Sequence, residues 1–248
     1  MREKTVIVTT SWDDGDRADL RVMEMLAAHG MKGTFYVPID AFKAGRELTD
    51  QQMRKMAAEK FEIGSHSVSH RSLNELSRGD QRRQIFDCKR ILEDRLGQPI
   101  KTFCYPNGKV TRHAVRCVEE AGYQGARTAR MLRSSLDFPR FEMPTTIQAY
   151  PLVPGHYIRN LLRGGNVAGL VDYGLRLRRA ASWVDVCKML FDDVSKKGGC
   201  WHLYGHSWEL EELNLWEPVE ELFGYVSKKE GVHYLTNAEV YEFLGIGQ

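Results

Sequence analysis

The chain has 248 residues, of which 42% are hydrophobic and 27% charged, so it is long enough to bury one sizeable core. Its 35 basic and 33 acidic residues leave a formal net charge of +2, which gives no reason to expect a nucleic-acid partner. No apolar run approaches the roughly 18 residues of a spanning helix, and residues 1–4 show no hydrophobic leader, so we expect a cytoplasmic protein without a transmembrane segment.

Short apolar, β-branched runs alternate with amphipathic helical patterns along almost the whole chain. The predicted strands cover residues 6–10, 33–37, 62–65, 101–105, 122–128, 199–204 and 232–235. The predicted helices cover residues 18–29, 50–58, 76–96, 112–121, 182–197 and 219–228, followed by a last helix capped by Thr236 and Asn237. Capping residues support these limits, since Gly30 ends the first helix and Thr49 begins the second.

This alternation predicts an α/β fold with a parallel sheet. About seven strands favour a closed or partly closed barrel over an open dinucleotide-binding sheet, whose glycine-rich phosphate motifs are missing from the sequence. In such barrels the chemistry collects at the carboxyl ends of the strands. The polar residues expected at or just past these ends are Asp13, Asp14, His66, His70, Asn107, Arg127 and His206.

The least regular part of the predicted single domain, residues 1–248, is a basic insertion at about 147–180. It contains several prolines and glycines, and its arginines are interleaved with leucine and valine. The simplest interpretation is a helix that covers the barrel and exposes a solvated basic face. A substrate lid or an anion-binding patch is the alternative.

Two motifs indicate a metal-dependent hydrolase. Residues 11–15, Ser-Trp-Asp-Asp-Gly, follow the first strand, and residues 66–70, His-Ser-Val-Ser-His, follow the third. One aspartate and two histidines make a three-ligand set that leaves a coordination position for water, as in catalytic zinc sites. The other aspartate is then available as a base. The alternative is that the Asp-Asp-Gly segment is only a turn that caps the following helix and that the two histidines are unrelated polar residues. Both motifs would then have to occur together by chance.

With these motifs the chain resembles the polysaccharide deacetylases, the NodB-homology domain of carbohydrate esterase family 4, over about residues 6–206. The resemblance implies a distorted (β/α)7 TIM-like barrel that removes acetyl groups from sugars with a divalent metal. It implies Asp14, His66 and His70 as the metal ligands and Asp13 as the catalytic base. Zn²⁺ is the expected ion, with Co²⁺, Ni²⁺ or Mn²⁺ as alternatives.

The third motif of the family is altered in this chain. Residues 104–108 read Cys-Tyr-Pro-Asn-Gly, so Cys104 stands where the family carries an arginine that pairs with the base. We expect Arg127, at the end of the next strand, to reach back to Asp13 in its place. Arg130 and Arg140 are alternative partners, and Arg127 as a merely solvated residue is a further interpretation.

The resemblance also implies a backbone N–H at Asn107 that helps to hold the oxyanion, next to Tyr105 in the wall of the pocket. Five cysteines, odd in number and dispersed, predict reduced and packed thiols rather than disulfides.

The last motif ends in a histidine that protonates the leaving amine, and the chain offers two candidates. His206 follows the predicted strand end and is preferred, because His202 lies within the strand and is as readily a packed residue. Trp208 is a candidate for stacking on a sugar ring, and Glu209 for orienting His206 or binding a sugar hydroxyl.

These features predict a metal-dependent N-deacetylase acting on an N-acetylated amino sugar in surface polysaccharide biosynthesis, such as O-antigen or capsule. A cytoplasmic enzyme would meet a sugar nucleotide or a lipid-linked saccharide, and the basic insertion would face its pyrophosphate or the membrane surface. Two alternatives remain: a cyclic amide or ureide hydrolase of the same superfamily, and a sugar-binding module with a residual metal site.

Overall fold

The computed structural model describes residues 4–40, 45–151 and 153–246, and within these residues eight strands and ten α-helices alternate. The strands are β1 (Val6–Asp13), β2 (Thr34–Val37), β3 (Glu62–Ser65), β4 (Thr102–Cys104), β5 (Gly125–Arg127), β6 (Ile147–Gln148), β7 (Gly199–Gly205) and β8 (Val232–Tyr234). The helices are α1 (Asp19–Ala28), α2 (Asp50–Ala58), α3 (Arg78–Leu96), α4 (Arg112–Glu120), α5 (Pro154–Arg163), α6 (Val167–Leu175), α7 (Trp183–Lys197), α8 (Ser207–Glu212), α9 (Trp216–Val226) and α10 (Asn237–Phe243).

The strands form one sheet in the order β5-β4-β3-β2-β1-β7-β6, and every pairing between them is parallel. Strand β1 lies near the centre and pairs with β7 along almost its whole length. Its other edge is shared, because β8 pairs with its first residues and β2 with its last. The two carboxylates at the end of β1 therefore sit in the middle of the sheet.

The segment around residues 143–148 closes this sheet into a barrel. Met143 bridges to Arg127 of β5, and Ile147 of β6 pairs with Leu203 of β7, so the segment spans the gap between the two ends of the sheet. Backbone hydrogen bonds continue the connection, including that from Thr146 N–H to the His202 carbonyl. The predicted distorted (β/α)7 barrel is confirmed, with β8 as an additional strand beside β1.

Strand β1 is buried on both faces, as expected of a parallel strand covered by helices. Its polar side chains are satisfied inside the barrel rather than by water. The Thr9 hydroxyl donates to Asn237 Oδ1 at 2.9 Å, and Ser11 Oγ lies 2.9 Å from His202 Nε2. Because burying a hydroxyl without a partner is costly, these bonds account for a Thr-Thr-Ser run within a core strand.

The structure extends or corrects several predicted elements. All seven predicted strands are present, although β5 is shorter than the predicted 122–128, and β6 was not predicted. Helix α9 runs from Trp216 to Val226, so it begins and ends earlier than the predicted 219–228. The segment predicted as irregular, 147–180, contains β6, α5 and α6. All five cysteines are free and buried. Among the described residues, no helix is both long and apolar enough to cross the bilayer.

The last helix, α10, packs against the strand that carries Arg127. The Tyr241 hydroxyl donates to the Ala126 carbonyl at 3.0 Å, and the Tyr241 ring lies over Gly125. A β-carbon at position 125 would overlap that ring. The missing side chain of Gly125 is therefore what lets α10 approach β5.

We expect Gly125→Ala to lower the free energy of unfolding by about 1–3 kcal/mol, because the added methyl group overpacks the contact with Tyr241. Gly174→Ala is the matched control, since Gly174 lies in α6 with open space around it and alanine favours a helix interior by about 0.5–1 kcal/mol. Urea unfolding of both variants measures the difference. Equal stability of Gly125→Ala and the wild type would contradict this packing.

Candidate active site

The carboxyl ends of four strands bring the predicted site residues together. Asp13 ends β1 and Arg127 ends β5, while His66 directly follows β3 and His206 directly follows β7. Because the strands are parallel, these ends open on the same side of the barrel. The polar residues named from the two sequence motifs therefore surround one site.

Three side chains converge as a possible metal-binding set. The Asp14 carboxylate oxygen Oδ1 lies 3.1 Å from His70 Nε2 and 3.8 Å from His66 Nε2. The two imidazole Nε2 atoms are 3.1 Å apart. Asp14 and His66 are buried, whereas His70 is partly exposed, so the set opens toward solvent on one side.

The donor chemistry of this set fits a divalent cation. His66 Nδ1 lies 2.9 Å from the Cys104 carbonyl oxygen, which can only accept, so Nδ1 carries the proton and Nε2 presents a lone pair. Burial lowers the pKa of His66 to about 4, which keeps the ring neutral. The His66 lone pair thus faces the buried Asp14 carboxylate, and the three ligand atoms lie 3.1 to 3.8 Å apart, against roughly 3.3 Å between two ligands of a tetrahedral Zn²⁺. A cation between them removes this repulsion.

A second group, Asp13, His66 and Cys104, is also close enough to hold an ion. It fits less well, because Asp13 is already engaged by a buried arginine. Burial raises the pKa of the Cys104 thiol well above its usual value, so the thiolate that a metal would need is disfavoured. The Asp14 set is therefore the better candidate.

A buried ion pair joins Asp13 to Arg127 across the barrel. The Arg127 guanidinium donates from Nη2 to Asp13 Oδ1, and both side chains are almost fully buried. Burial by itself raises the pKa of Asp13, but Arg127 and the nearby His66 and His206 bring it below its usual value. Asp13 is thus held ionised and oriented while Asp14 faces the imidazoles.

Of the three arginines considered from the sequence, the structure brings only Arg127 to Asp13. Arg130 pairs with Glu142, and Arg140 donates to the carbonyls of Gln124 and Tyr123. The interpretation of Arg127 as a merely solvated residue is wrong, since 2% of its side chain is exposed.

His206 is held by a carboxylate on the short helix that follows it. Its Nδ1 atom donates to Glu209 at 2.8 Å, and its Nε2 atom lies 3.9 Å from Asp14 Oδ2. Burial disfavours the charged ring, but the hydrogen bond to Glu209 and the charges of Asp14 and Asp13 prevail and raise the pKa of His206 to about 9. The imidazolium form, which can donate a proton, is therefore stabilised.

Trp208 has a role that the sequence did not reveal. Its indole N–H donates to Asp14 Oδ2 at 2.9 Å, so it holds the carboxylate oxygen that points away from His70. The sequence gave no sign of this contact, because Trp208 and Asp14 are 194 positions apart in the chain.

Of the remaining candidates, Asn107 lies at the surface, whereas Tyr105 and His202 lie in the core. Asn107 is exposed, and its side chain donates to Ser72 Oγ at 3.1 Å. Tyr105 is buried among the core side chains. His202 is buried as well, with Nδ1 3.1 Å from the Pro144 carbonyl, and burial, followed by the charge of Arg127, lowers its pKa to about 3. His202 is thus a packed residue within β7.

Several site residues adopt a backbone conformation that side chains rarely take. Positive φ angles occur at Asp14 (81°), Ser67 (69°), His70 (52°) and Asn107 (55°). Such conformations cost about 1–3 kcal/mol each unless the surroundings enforce them, and they concentrate at functional sites. Here they occur at the second aspartate, at two positions of the histidine motif and in the turn at Asn107.

A cleft of about 800 Å³ runs along α5 and reaches Tyr204, whose ring lies against Arg127. Asn107 and Gln148 also line it. Its lining contains four cationic side chains and no carboxylate: Lys109, Arg130, Arg159 and Arg163. Since Arg130 is paired with Glu142, Lys109, Arg159 and Arg163 are the cations that make the cleft favour an anionic group.

Comparison with known proteins gives one consistent result. The sequence profile described as Polysaccharide deacetylase matches residues 1–126. A Bacillus subtilis protein provisionally named as the polysaccharide deacetylase YxkH is 29% identical over 136 residues, which cover 54% of this chain and 48% of that protein. The chitooligosaccharide deacetylase of Sinorhizobium fredii is 31% identical over 87 residues, which cover 34% of this chain and 39% of that protein. The chain thus matches less than half the length of either relative.

Among solved structures, a Mycobacterium smegmatis protein provisionally named a polysaccharide deacetylase shares the fold. The TM-score is 0.70 at 16% sequence identity, over 98% of this chain and 91% of that one.

We expect Zn²⁺ to bind to the wild type, and His70→Gln or Asp14→Asn to weaken that binding by at least about 100-fold, because each removes one of three ligands. Isothermal titration calorimetry measures the affinity, with His156→Gln as a control on an exposed histidine of the cleft. If Cys104→Ser abolished binding and His70→Gln did not, the Asp13, His66 and Cys104 group would hold the ion instead.

Proposed function

Because the chain belongs to the polysaccharide deacetylase family, we propose that it is a metal-dependent hydrolase that removes the acetyl group from an N-acetylated amino sugar. The observation that carries this proposal is that two adjacent carboxylates have different partners. Asp14 faces two imidazoles, whereas Asp13 is kept ionised by the buried Arg127. A module that only bound sugar would have no use for a second buried carboxylate that is held in this way.

A divalent cation on Asp14, His66 and His70 would polarise the acetyl carbonyl and lower the pKa of a water molecule, with Zn²⁺ as the expected ion. Asp13 accepts the proton of the attacking water as the new C–O bond forms. Arg127 keeps Asp13 ionised until that moment and fixes its orientation. The backbone N–H of Asn107 is proposed to help hold the negative charge that develops on the acetyl oxygen.

His206 then donates its proton to the leaving nitrogen as the C–N bond breaks. Glu209 orients the ring by accepting from Nδ1, so Nε2 is the atom that faces the reaction. The products are acetate and a free amine. Asp13 and His206 thus act as base and acid from the ends of the neighbouring strands β1 and β7.

The cationic cleft supports a substrate with an anionic group beside the acetylated sugar. A sugar nucleotide and a lipid-linked saccharide both carry a diphosphate next to the sugar, which Lys109, Arg159 and Arg163 could bind through charge-assisted hydrogen bonds. We therefore propose a precursor of a surface polysaccharide as the substrate.

The direct test is acetate release from an N-acetylated amino sugar linked to a nucleoside diphosphate. We expect turnover that is lost on chelation and restored by Zn²⁺. Asp13→Asn should lower kcat by about 10²–10⁴-fold while Zn²⁺ affinity is retained, because the base is lost and the ligands are not. Arg127→Lys, which keeps a positive charge beside Asp13, should retain more activity than Arg127→Met.

A neutral N-acetylated oligosaccharide and a cyclic ureide serve as comparison substrates. Turnover of the ureide alone would support the alternative hydrolase activity and overturn the proposal. Binding of the sugar without acetate release from the Zn²⁺-loaded protein would indicate a binding module.

Glu209→Gln should move the alkaline limb of the pH profile of kcat/KM to lower pH. Glu209 raises the pKa of His206, so its removal lets that pKa fall from about 9 toward the ordinary value, and the proton-donating form is lost at lower pH. Glu220→Gln is the matched control, since Glu220 accepts from His29 in a pair remote from the site. An unshifted alkaline limb would remove His206 from the role of acid.

A further inference from the structure

The exposed apolar side chains of this protein are concentrated in one segment. Of the nine large hydrophobic residues that are exposed in the described part of the chain, six lie between residues 153 and 175, and each exposes 41% to 72% of its surface. They are Val153, Ile158, Leu162, Val167, Val171 and Leu175. Such concentrations mark interaction sites, whereas isolated exposed apolar residues do not.

Helices α5 and α6 present these residues on their outer faces. In α5, Tyr157 and Leu161 point into the core and Ile158 and Leu162 point outward, one turn apart. The Tyr157 ring stacks on Tyr173 of α6 with centroids 4.7 Å apart, so the two helices pack together through their inner faces.

On α6, the outward residues Val167, Val171 and Leu175 recur every four positions, opposite the buried Tyr173. We name the surface formed by Ile158, Leu162, Val167, Val171 and Leu175 the α5–α6 face. The side chains of this face point away from the contact between α5 and α6. Packing of the protein core therefore does not explain why these positions are apolar.

The charge of the surrounding segment identifies the kind of partner. Residues 147–180 contain five arginines and one aspartate, a net charge of +4 in a chain whose total is +2, so the rest of the chain carries −2. Asp172 is bound by Arg176, which also pairs with Asp193. Arg178 and Arg179, just beyond α6, are exposed.

We propose that the α5–α6 face binds the surface of an anionic lipid bilayer. An outward stripe of leucine, isoleucine and valine bordered by arginine is the pattern of helices that lie in the bilayer interface, and acidic headgroups attract the flanking arginines. A second copy of this chain fits less well, because a two-fold contact would bring two such +4 segments together.

This docking also bears on the substrate, and in that respect it rests on the proposed function. Arg159 and Arg163 lie on the same helix as Ile158 and Leu162, but they line the cleft that reaches Tyr204. A bilayer on the α5–α6 face would therefore lie beside the mouth of the cleft. Of the two diphosphate-bearing substrates, this geometry favours the lipid-linked saccharide.

The experiment measures co-sedimentation of the protein with vesicles in the absence of any sugar, so its result does not depend on deacetylation. Vesicles of phosphatidylcholine alone are compared with vesicles that contain about one-quarter phosphatidylglycerol. We expect the wild type to bind the anionic vesicles, with affinity that falls as salt is raised. Leu162→Gln/Val171→Gln should weaken this binding by about tenfold or more, since two inserted apolar side chains are lost.

Leu213→Gln is the matched control, because Leu213 is 44% exposed but follows α8, away from the α5–α6 face. Arg178→Gln/Arg179→Gln should weaken binding and reduce its dependence on salt. Circular dichroism and thermal unfolding establish that each variant is folded, and Zn²⁺ affinity should be unchanged in all of them.

Three results would overturn the proposal. The first is wild-type protein that sediments with neither kind of vesicle. The second is Leu162→Gln/Val171→Gln protein that binds anionic vesicles as tightly as the wild type. The third is a concentration-dependent dimer in analytical ultracentrifugation that this double variant abolishes, since a second copy would then cover the face.

Discussion

The ion pair between Asp13 and Arg127 is the interaction on which the rest of the site depends. It joins the ends of β1 and β5, which are not neighbours in the sheet, and both charges are buried. Removing one partner of such a pair leaves an uncompensated charge in the interior, which costs about 3–5 kcal/mol. The closed barrel is what makes the contact possible, because the segment around Met143 fixes β5 opposite β1. With Asp13 committed to Arg127, Asp14 is the carboxylate that faces the two imidazoles.

The register of the sheet explains how the missing arginine of the third motif is replaced. Cys104 of β4 and Arg127 of β5 are direct neighbours across the strand pair. Cys104 Sγ lies 3.8 Å from Asp13 Oδ2, so the small thiol occupies the place beside the carboxylate without filling it. The guanidinium enters from the adjacent strand instead, between the rings of Tyr36 and Tyr204. Arg127 thus supplies the positive charge beside Asp13 from the strand next to Cys104.

The sequence was sufficient to predict the elements and site residues that depend on local pattern and on motif spacing. It was not sufficient for those that are defined by contacts between distant parts of the chain. Apolar runs and capping residues placed nearly all strands, and the two motifs placed Asp14, His66 and His70 together. Strand β6 was missed because two residues carry no periodic signal and are defined by pairing with β7. Helices α5 and α6 were obscured because Pro154 begins α5, Gly164 ends it, and Gly169 and Gly174 lie inside α6. The contact from Trp208 to Asp14 has no local sign at all.

Helix α10 couples the two strands that carry the buried ion pair. Tyr241 bonds to the backbone of the strand that supplies Arg127, and Asn237 bonds to Thr9 on the strand that supplies Asp13. A local opening of α10 would break both contacts at once. Thermal fluctuations of this helix therefore reach the two ends of the ion pair together.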